Sequence, residues 1–507
     1  MPASGIFVLI SAHVILPTEI IFLLRINPNP GLSMKKTIAS FFFLTVAGLL
    51  MLMLVLAIND HINIPQNSSL PQNFYRNPTF FESLVGQGIQ NLKQPTSLLI
   101  LQIVVILLVS RITAYVFSFI GQPAVMGETI GGILLGPSLL GWLAPGASHF
   151  LFPPESLGRL QSLSQLGLII YMFLVGMEID LGKLRSKASA AVLIGHAGIV
   201  FPFTLGMFLS LFLYQDFCPV GIGFLPFALF IGVAMSITAF PVLARIVKEK
   251  KLSGTMVGTV SIASAAIEDV TAWSVLALII AVAKSTSVTT SIISLLLVLL
   301  FILIMFYVVR PLLQKYHTLL FHTDKPDIPG ITFVVAILLL SAITTDVLGV
   351  HAVFGAFIAG LIMPVEIKVK SPVKTKFEDF TTVLLLPIFF ALTGLKTQVG
   401  LLNSGYLWGV FTLVLLVAVS GKMGGVVIAA RFSKIKWRDS IMLGILMNTR
   451  GLMELIALNI GYDLGVISGP IFTLMVLMAI ITTFMTGPLL NLIMNKDSFT
   501  PEPLPEA

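Results

Sequence analysis

Between residues 97 and 494 the chain is a near-unbroken succession of apolar runs, more than any water-soluble fold can bury. Thirteen segments, roughly 97–120, 124–144, 162–182, 188–215, 224–248, 255–284, 288–311, 330–349, 351–364, 381–398, 405–432, 439–461 and 467–494, are separated by short polar loops. Most exceed the roughly 20 residues a helix needs to cross ~30 Å of hydrocarbon. The ninth is short and Gly-rich. Lipid offers a backbone no hydrogen-bond partner, so such spans are helices. Composition agrees: charged residues are 10% of the 507 and mean hydropathy is +1.00, whereas soluble proteins carry roughly 25% charge. The fold expected is an all-α polytopic membrane protein whose principal partner is the lipid bilayer.

Two further apolar runs, about 5–24 and 38–58, precede a polar stretch rich in Asn, Gln and Pro at 60–94. Residues 1–96 are therefore expected to form one or two N-terminal helices and an external loop. Met34-Lys35-Lys36 before an apolar run resembles a translation start, so residues 1–33 read either as an upstream extension or as an extra helix. Residues 495–507 read as a short tail.

The net charge of +7 does not point to nucleic acid, because the basic residues sit in loops. Nineteen of them, from Lys183 to Lys496, follow the odd-numbered segments, and five lie on the opposite face. The positive-inside rule makes the C-terminus cytoplasmic, and the plasma (inner) membrane is the expected location. The single cysteine, Cys218, excludes an intrachain disulfide and a Cys-based metal site. No nucleotide loop, nucleophile triad or metalloprotease motif stands in a credible context, so neither an enzyme nor a cofactor is expected.

The two halves resemble each other. Gly132, Gly136 and Pro137 in the second segment match Gly355, Gly360 and Pro364 in the ninth. Residues 173–178 (FLVGME) match 391–396 (ALTGLK), and 235–238 (MSIT) match 447–450 (MNTR). These are the second, third and fifth helices of two six-helix units offset by seven helices. An odd offset inverts the second unit, and inverted repeats signal an alternating-access transporter with its site between them. Both fifth helices are interrupted, one at Ser236, Thr238 and Pro241, the other at Asn448, Thr449, Arg450 and Gly451. The breaks read as a binding site lined by half-helix ends, or as a proline kink and a glycine packing contact.

Charges inside the spans need a reason, since each costs at least ~2.5 kcal/mol near the bilayer centre. Glu268 and Asp269 lie halfway along the sixth segment, flanked by Ser261, Ser264 and Thr271. Lys422 lies midway in the eleventh, among Gly421, Gly424 and Gly425. Adjacent helical residues point about 100° apart, so one lysine cannot neutralise both carboxylates: one pairs with Lys422 and the other faces a cavity. Hard oxygen ligands suit Na⁺ or K⁺, and such a site can exchange a cation for a proton. A buried ion pair that only holds helices together is the alternative. Arg450 and Glu454 are spaced i, i+4 and read as a pair that stabilises the break or as participants in transport. Arg111 is expected to snorkel or to pair with an acidic neighbour. Glu178 and Asp180 read as a solvated helix end or a cation entrance, and His196 as a core histidine or a pH sensor.

Ala266-Ile267-Glu268-Asp269-Val270-Thr271-Ala272-Trp273 resembles the charged-helix motif of the monovalent cation:proton antiporter-2 family. So do 236–241 (SITAFP), 351–364, 387–396 (PIFFALTGLK) and 448–455 (NTRGLMEL), in the family's order. The resemblance covers about 97–494. It implies a thirteen-helix antiporter fold with crossed broken helices, in which 188–284 and 405–494 form a core, 97–182 and 330–398 a dimer scaffold, and 288–311 a linker. It also implies a homodimer exchanging Na⁺ or K⁺ for H⁺. Asp269 then matches the cation- and proton-binding aspartate and Lys422 the lysine paired with it. The preceding residue is usually Asp, Asn or Gln in that family, and here it is Glu268. A gated potassium efflux pathway on the same scaffold is the competing reading.

Overall fold

A computed structural model describes residues 87, 90–178, 188–252, 255–284, 288–320, 328–364 and 377–494. The chain divides into Met1–Gln94 and Pro95–Ala507, and the helices below all belong to the second unit. The expected N-terminal helices, the tail from 495, Asp180 and the basic loop residues at 183–187, 325 and 368–376 lie outside the described residues.

The helices that frame the site are α1 (Pro95–Phe119), α2 (Ala124–Leu135), α3 (Pro154–Glu178), α4 (Ala188–Phe217), α5 (Phe224–Ser236), α6 (Phe240–Glu249), α7 (Met256–Lys284), α8 (Val288–Ile304), α9 (Ile328–Val347), α10 (Ala352–Ile362), α11 (Leu386–Lys396), α12 (Gly405–Phe432), α13 (Trp437–Met447), α14 (Leu452–Asp463) and α15 (Gly469–Met494); Leu140–Leu143, Pro145–Leu151 and Arg310–Leu320 are helical as well. Wider π turns extend α8 at Met305–Val309 and precede α11 at Thr381–Leu385. Eleven helices among the described residues are long and apolar enough to span, with α5 and α6 together making one. The pair α13 and α14, bent by 42°, makes a twelfth if taken as a single span. The segment expected at 351–364 forms only the 11 residues of α10. At 1.5 Å per residue that is about half the hydrocarbon thickness, and all but its first residue is buried against protein.

Two groups of helices pack internally. In one, α1 lies on α2, α2 on α11, α11 on α3, and α3 on α10, which carries α9. In the other, α4 lies on α5, α7 and α12, while α13 and α14 pack on α15. Small residues let backbones approach where lipid supplies no hydrophobic drive. A Cβ on Gly132 would meet the backbone of Ala391, and one on Gly394 would overlap the backbone of Ile133. A Cβ on Gly360 would overlap the carbonyl oxygen of Phe173, and one on Gly176 that of Phe357. The contacts are reciprocal: α2 meets α11 as α10 meets α3.

Candidate ion-binding site

The site forms where α5 and α13 stop in the protein interior. Four glycines bring its walls together. A Cβ at Gly421 would stand 3.0 Å from Cα of Pro202, and one at Gly425 2.7 Å from Cβ of Phe201, so α12 presses on α4 on both sides of Lys422. On α7, Ser264 Oγ donates to the Ala191 carbonyl at 3.0 Å. Gly195 and Gly198 of α4 face that helix.

Lys422 Nζ donates to Glu268 Oε2 at 2.8 Å, to the Gly198 carbonyl at 2.8 Å and to the Ser236 carbonyl. All three of its protons are used, and both side chains of the ion pair are 0% exposed. Asp269 is equally buried, yet neither of its oxygens has a hydrogen-bond partner, and Glu268 Oε1 has none. The hydroxyls of Ser261 and Thr271 bond the backbone of their own helix and that of Ser264 bonds α4, so none reaches the carboxylates. The structure thus pairs Lys422 with Glu268 and leaves Asp269 free.

The two breaks touch. Ala239 N donates to the Thr449 carbonyl at 3.0 Å, and Thr238 Oγ1 to the Met447 carbonyl at 2.9 Å. Ser236 Oγ turns back onto the Val233 carbonyl, and Thr449 Oγ1 onto that of Leu446. Asn448 is buried with Oδ1 unbonded. Gly451 turns the chain into α14 at φ 154° and ψ −127°, a region side chains avoid.

A helix end leaves carbonyls without partners and carries partial negative charge. At the end of α5 two cations meet them. Arg450 donates through its two terminal nitrogens to the carbonyls of Ala234, at 3.1 Å, and Met235, while Lys422 takes that of Ser236. Arg450 also stands 3.3 Å from Glu454 Oε1, with both side chains 0% exposed. The i, i+4 pair is therefore present, and the guanidinium has a second task that spacing did not reveal. Thr483 Oγ1 of α15 receives the Arg450 backbone N–H at 3.0 Å and donates to the Arg450 carbonyl.

Other charged positions lie apart from the site. Arg111 stands 4.0 Å from Glu128 and donates to the carbonyls of Thr382 and Val383, so it pairs and also ties α1 to the π turn before α11. Glu178 ends α3. His196 is exposed, its Nδ1 2.8 Å from the Val192 carbonyl; the core-histidine reading fails because this residue lies on the outer face of α4. Sequence reasoning missed a second polar cluster. Lys396 of α11 pairs with Asp463 at the end of α14 at 2.6 Å, Gln161 of α3 donates to the same carboxylate at 3.0 Å, and Asn459 donates to Thr393 Oγ1 at 2.8 Å. Lys396 reads from sequence as the end of the repeat match 391–396 and as one of the five basic residues on the external face, with no partner named.

Long apolar helices around buried charges, with two interrupted helices joined at their breaks, define a multi-pass membrane protein of the transporter kind. The sequence agrees, for the family described as sodium/hydrogen exchanger, transmembrane, matches residues 104–496. The chain belongs to that family. It is 45% identical to the Na(+)/H(+) antiporter NhaS4 of Synechocystis over 397 residues, 78% of this chain and 97% of that protein. Cation/H(+) antiporter 17 of Arabidopsis thaliana is 42% identical over 80% of this chain, and K(+)/H(+) antiporter 1 of Saccharomyces cerevisiae 34% over 80%. The chain spans about half of those two, 49% and 47%. The structure of the sodium proton antiporter MjNhaP1 from Methanocaldococcus jannaschii shares the fold, with a TM-score of 0.59, 14% identity, and coverage of 80% of this chain and 99% of that one. The resemblance read from the motifs holds at family level.

Proposed function

We propose that the protein is a secondary antiporter that exchanges Na⁺ or K⁺ for protons across the membrane by alternating access. The observation that carries this is Asp269: a carboxylate buried midway along a spanning helix, unbonded, beside a Glu268–Lys422 pair in which all three protons of the ammonium are already taken. Isolated charge in such a place costs free energy, and a bound proton or monovalent cation offsets it. Names among the relatives include both Na⁺/H⁺ and K⁺/H⁺ antiporters, so the cation is given as either.

In this reading Asp269 binds the cation and the proton, Glu268 shares the site, and Lys422 is its ion-pair partner. Ser236, Thr238, Asn448, Thr449 and Arg450 line the joined breaks, and Arg450 with Glu454 holds them. The helices within 188–284 and 405–494 form a core that moves against those within 97–182 and 330–398, with 288–311 as linker. The reciprocal glycine contacts support two inverted six-helix repeats, and the buried α10 supports counting thirteen helices. The protein works as a homodimer in the plasma (inner) membrane with its C-terminus cytoplasmic.

Reconstitution in vesicles tests the proposal. Wild-type protein is expected to move protons when Na⁺, K⁺ or Li⁺ is added, followed by dequenching of a pH dye. Asp269→Asn is expected to insert normally and to abolish that movement. Undiminished exchange in the Asn variant refutes the assignment, and cation flux without proton movement in the wild type favours the gated pathway.

A further inference from the structure

Gly198 touches both members of the buried ion pair. Its carbonyl accepts a hydrogen bond from Lys422 Nζ at 2.8 Å. On its other side, a Cβ built on it would overlap Glu268 Oε1 and stand 3.2 Å from Glu268 Cδ and 3.3 Å from Val426 Cγ2. The second oxygen of Glu268 therefore occupies the volume that any side chain at position 198 would need. Val426 lies one turn beyond Lys422 on α12 and closes the far wall. One turn back on α4, a Cβ on Gly195 would stand 3.0 Å from the Ser264 carbonyl, so α4 and α7 are already in close contact.

The end of a glutamate side chain is ordinarily free to swing aside. Here it is not, because Oε2 is held by an ammonium whose other two protons are held by the carbonyls of Gly198 and Ser236. Moving the carboxylate away from position 198 stretches that bond, and the ammonium cannot follow without releasing a carbonyl. We propose that Gly198 is a positioning residue matched to the length of Glu268: its missing side chain lets the longer carboxylate take Lys422 and so leaves Asp269 free for the transported ion. The inference rests on the antiport reading for its functional consequence, and on geometry alone for the steric match.

The match predicts a compensation between two helices. Gly198→Ala is expected to insert, because only a side-chain end must move, yet to lower the initial rate of cation-dependent proton movement by about tenfold to a hundredfold. Its pH profile is expected to shift, since Lys422 loses its counter-charge. Adding Glu268→Asp shortens the side chain by one methylene, so the carboxylate no longer competes with the new methyl group for the same volume, and a stretched bond to Lys422 replaces a steric overlap. The double variant is expected to recover at least half of the loss in both rate and melting temperature, a coupling that independent sites do not show. Gly195→Ala serves as the control, crowding the same helix pair without touching Glu268, and Glu268→Asp is expected not to rescue it.

Wild-type rate and melting temperature in Gly198→Ala overturn the proposal. So do losses that simply add in the double variant, or an equal rescue of Gly195→Ala, which reports general loosening. Should Gly198→Ala fail to accumulate, accumulation of the double variant is the same test. If the wild type itself moves no protons with Na⁺, K⁺ or Li⁺, the antiport reading falls, and the melting-temperature cycle decides the steric match by itself.

Discussion

At the scale of single residues, Lys422 shows how a buried ion pair is made tolerable. Each of its protons has an acceptor, and its partner carboxylate is wholly buried with it. Such pairs add little net stability, because desolvation offsets attraction, but removing one partner strands the other. Lys422→Met is therefore expected to cost about 3–5 kcal/mol, while Lys422→Met with Glu268→Met recovers most of it. Thermal unfolding in detergent measures both, and equal losses in the single and double variants refute the argument. The Lys396–Asp463 pair has side chains 22% and 35% exposed. Solvent screens it, so it is expected to contribute no more than about 1 kcal/mol, which suits a contact that opens.

At the scale of elements, the two broken helices stop for different reasons. After Ser236 the backbone of α5 turns extended at Ile237, and its last carbonyls are taken by Arg450 and Lys422. After Met447 the chain passes through Asn448, Thr449 and Arg450 to Gly451, whose φ of 154° only glycine adopts readily. A side chain at Gly451 has room, with Val242 Cγ2 at 3.5 Å and Ala239 Cβ at 3.7 Å. Gly451→Ala is thus expected to cost about 1–3 kcal/mol through backbone strain alone. A melting temperature equal to wild type counts against that conformation. Both breaks were legible as polar residues interrupting apolar runs. That they bond each other was not, because hydroxyls and amides in a span look the same whether they bond their own turn, as Ser236 does, or another helix, as Thr238 does.

At the scale of the whole molecule, Lys396, Gln161 and Thr393 belong to helices of one packing group, and Asp463 and Asn459 to the other. If transport moves one group against the other, these contacts must part in each cycle. Cysteines introduced at Lys396 and Asp463 in a Cys218→Ser background, joined by a reducible bifunctional thiol linker that replaces the length of the lysine side chain, are expected to arrest exchange while linked and to release it when reduced. Full exchange in the cross-linked protein would show that this face stays closed throughout. The native thiol interferes little in any case: burial raises the Cys218 pKa, so less thiolate is present at neutral pH to react.

The amino-acid sequence by itself determined the class of protein, the position of the spans, the interruption of two of them, and the charges that cannot face lipid. Each of these follows from local chemistry, because a bilayer penalises backbone and charge whatever the neighbours are. Only the tertiary structure decided that Lys422 takes Glu268 and not Asp269, that Arg450 closes the end of α5 as well as meeting Glu454, that the short α10 is buried against protein along nearly its whole length, and that Lys396 meets Asp463. The choice between the two carboxylates depends on how α7 is rotated toward α12 and how closely α4 approaches both. Glu268 and Lys422 stand 154 residues apart, and Gly198 and Lys422 stand 224 apart. That approach is set by glycines on separate helices, each of which admits a neighbouring backbone without naming it.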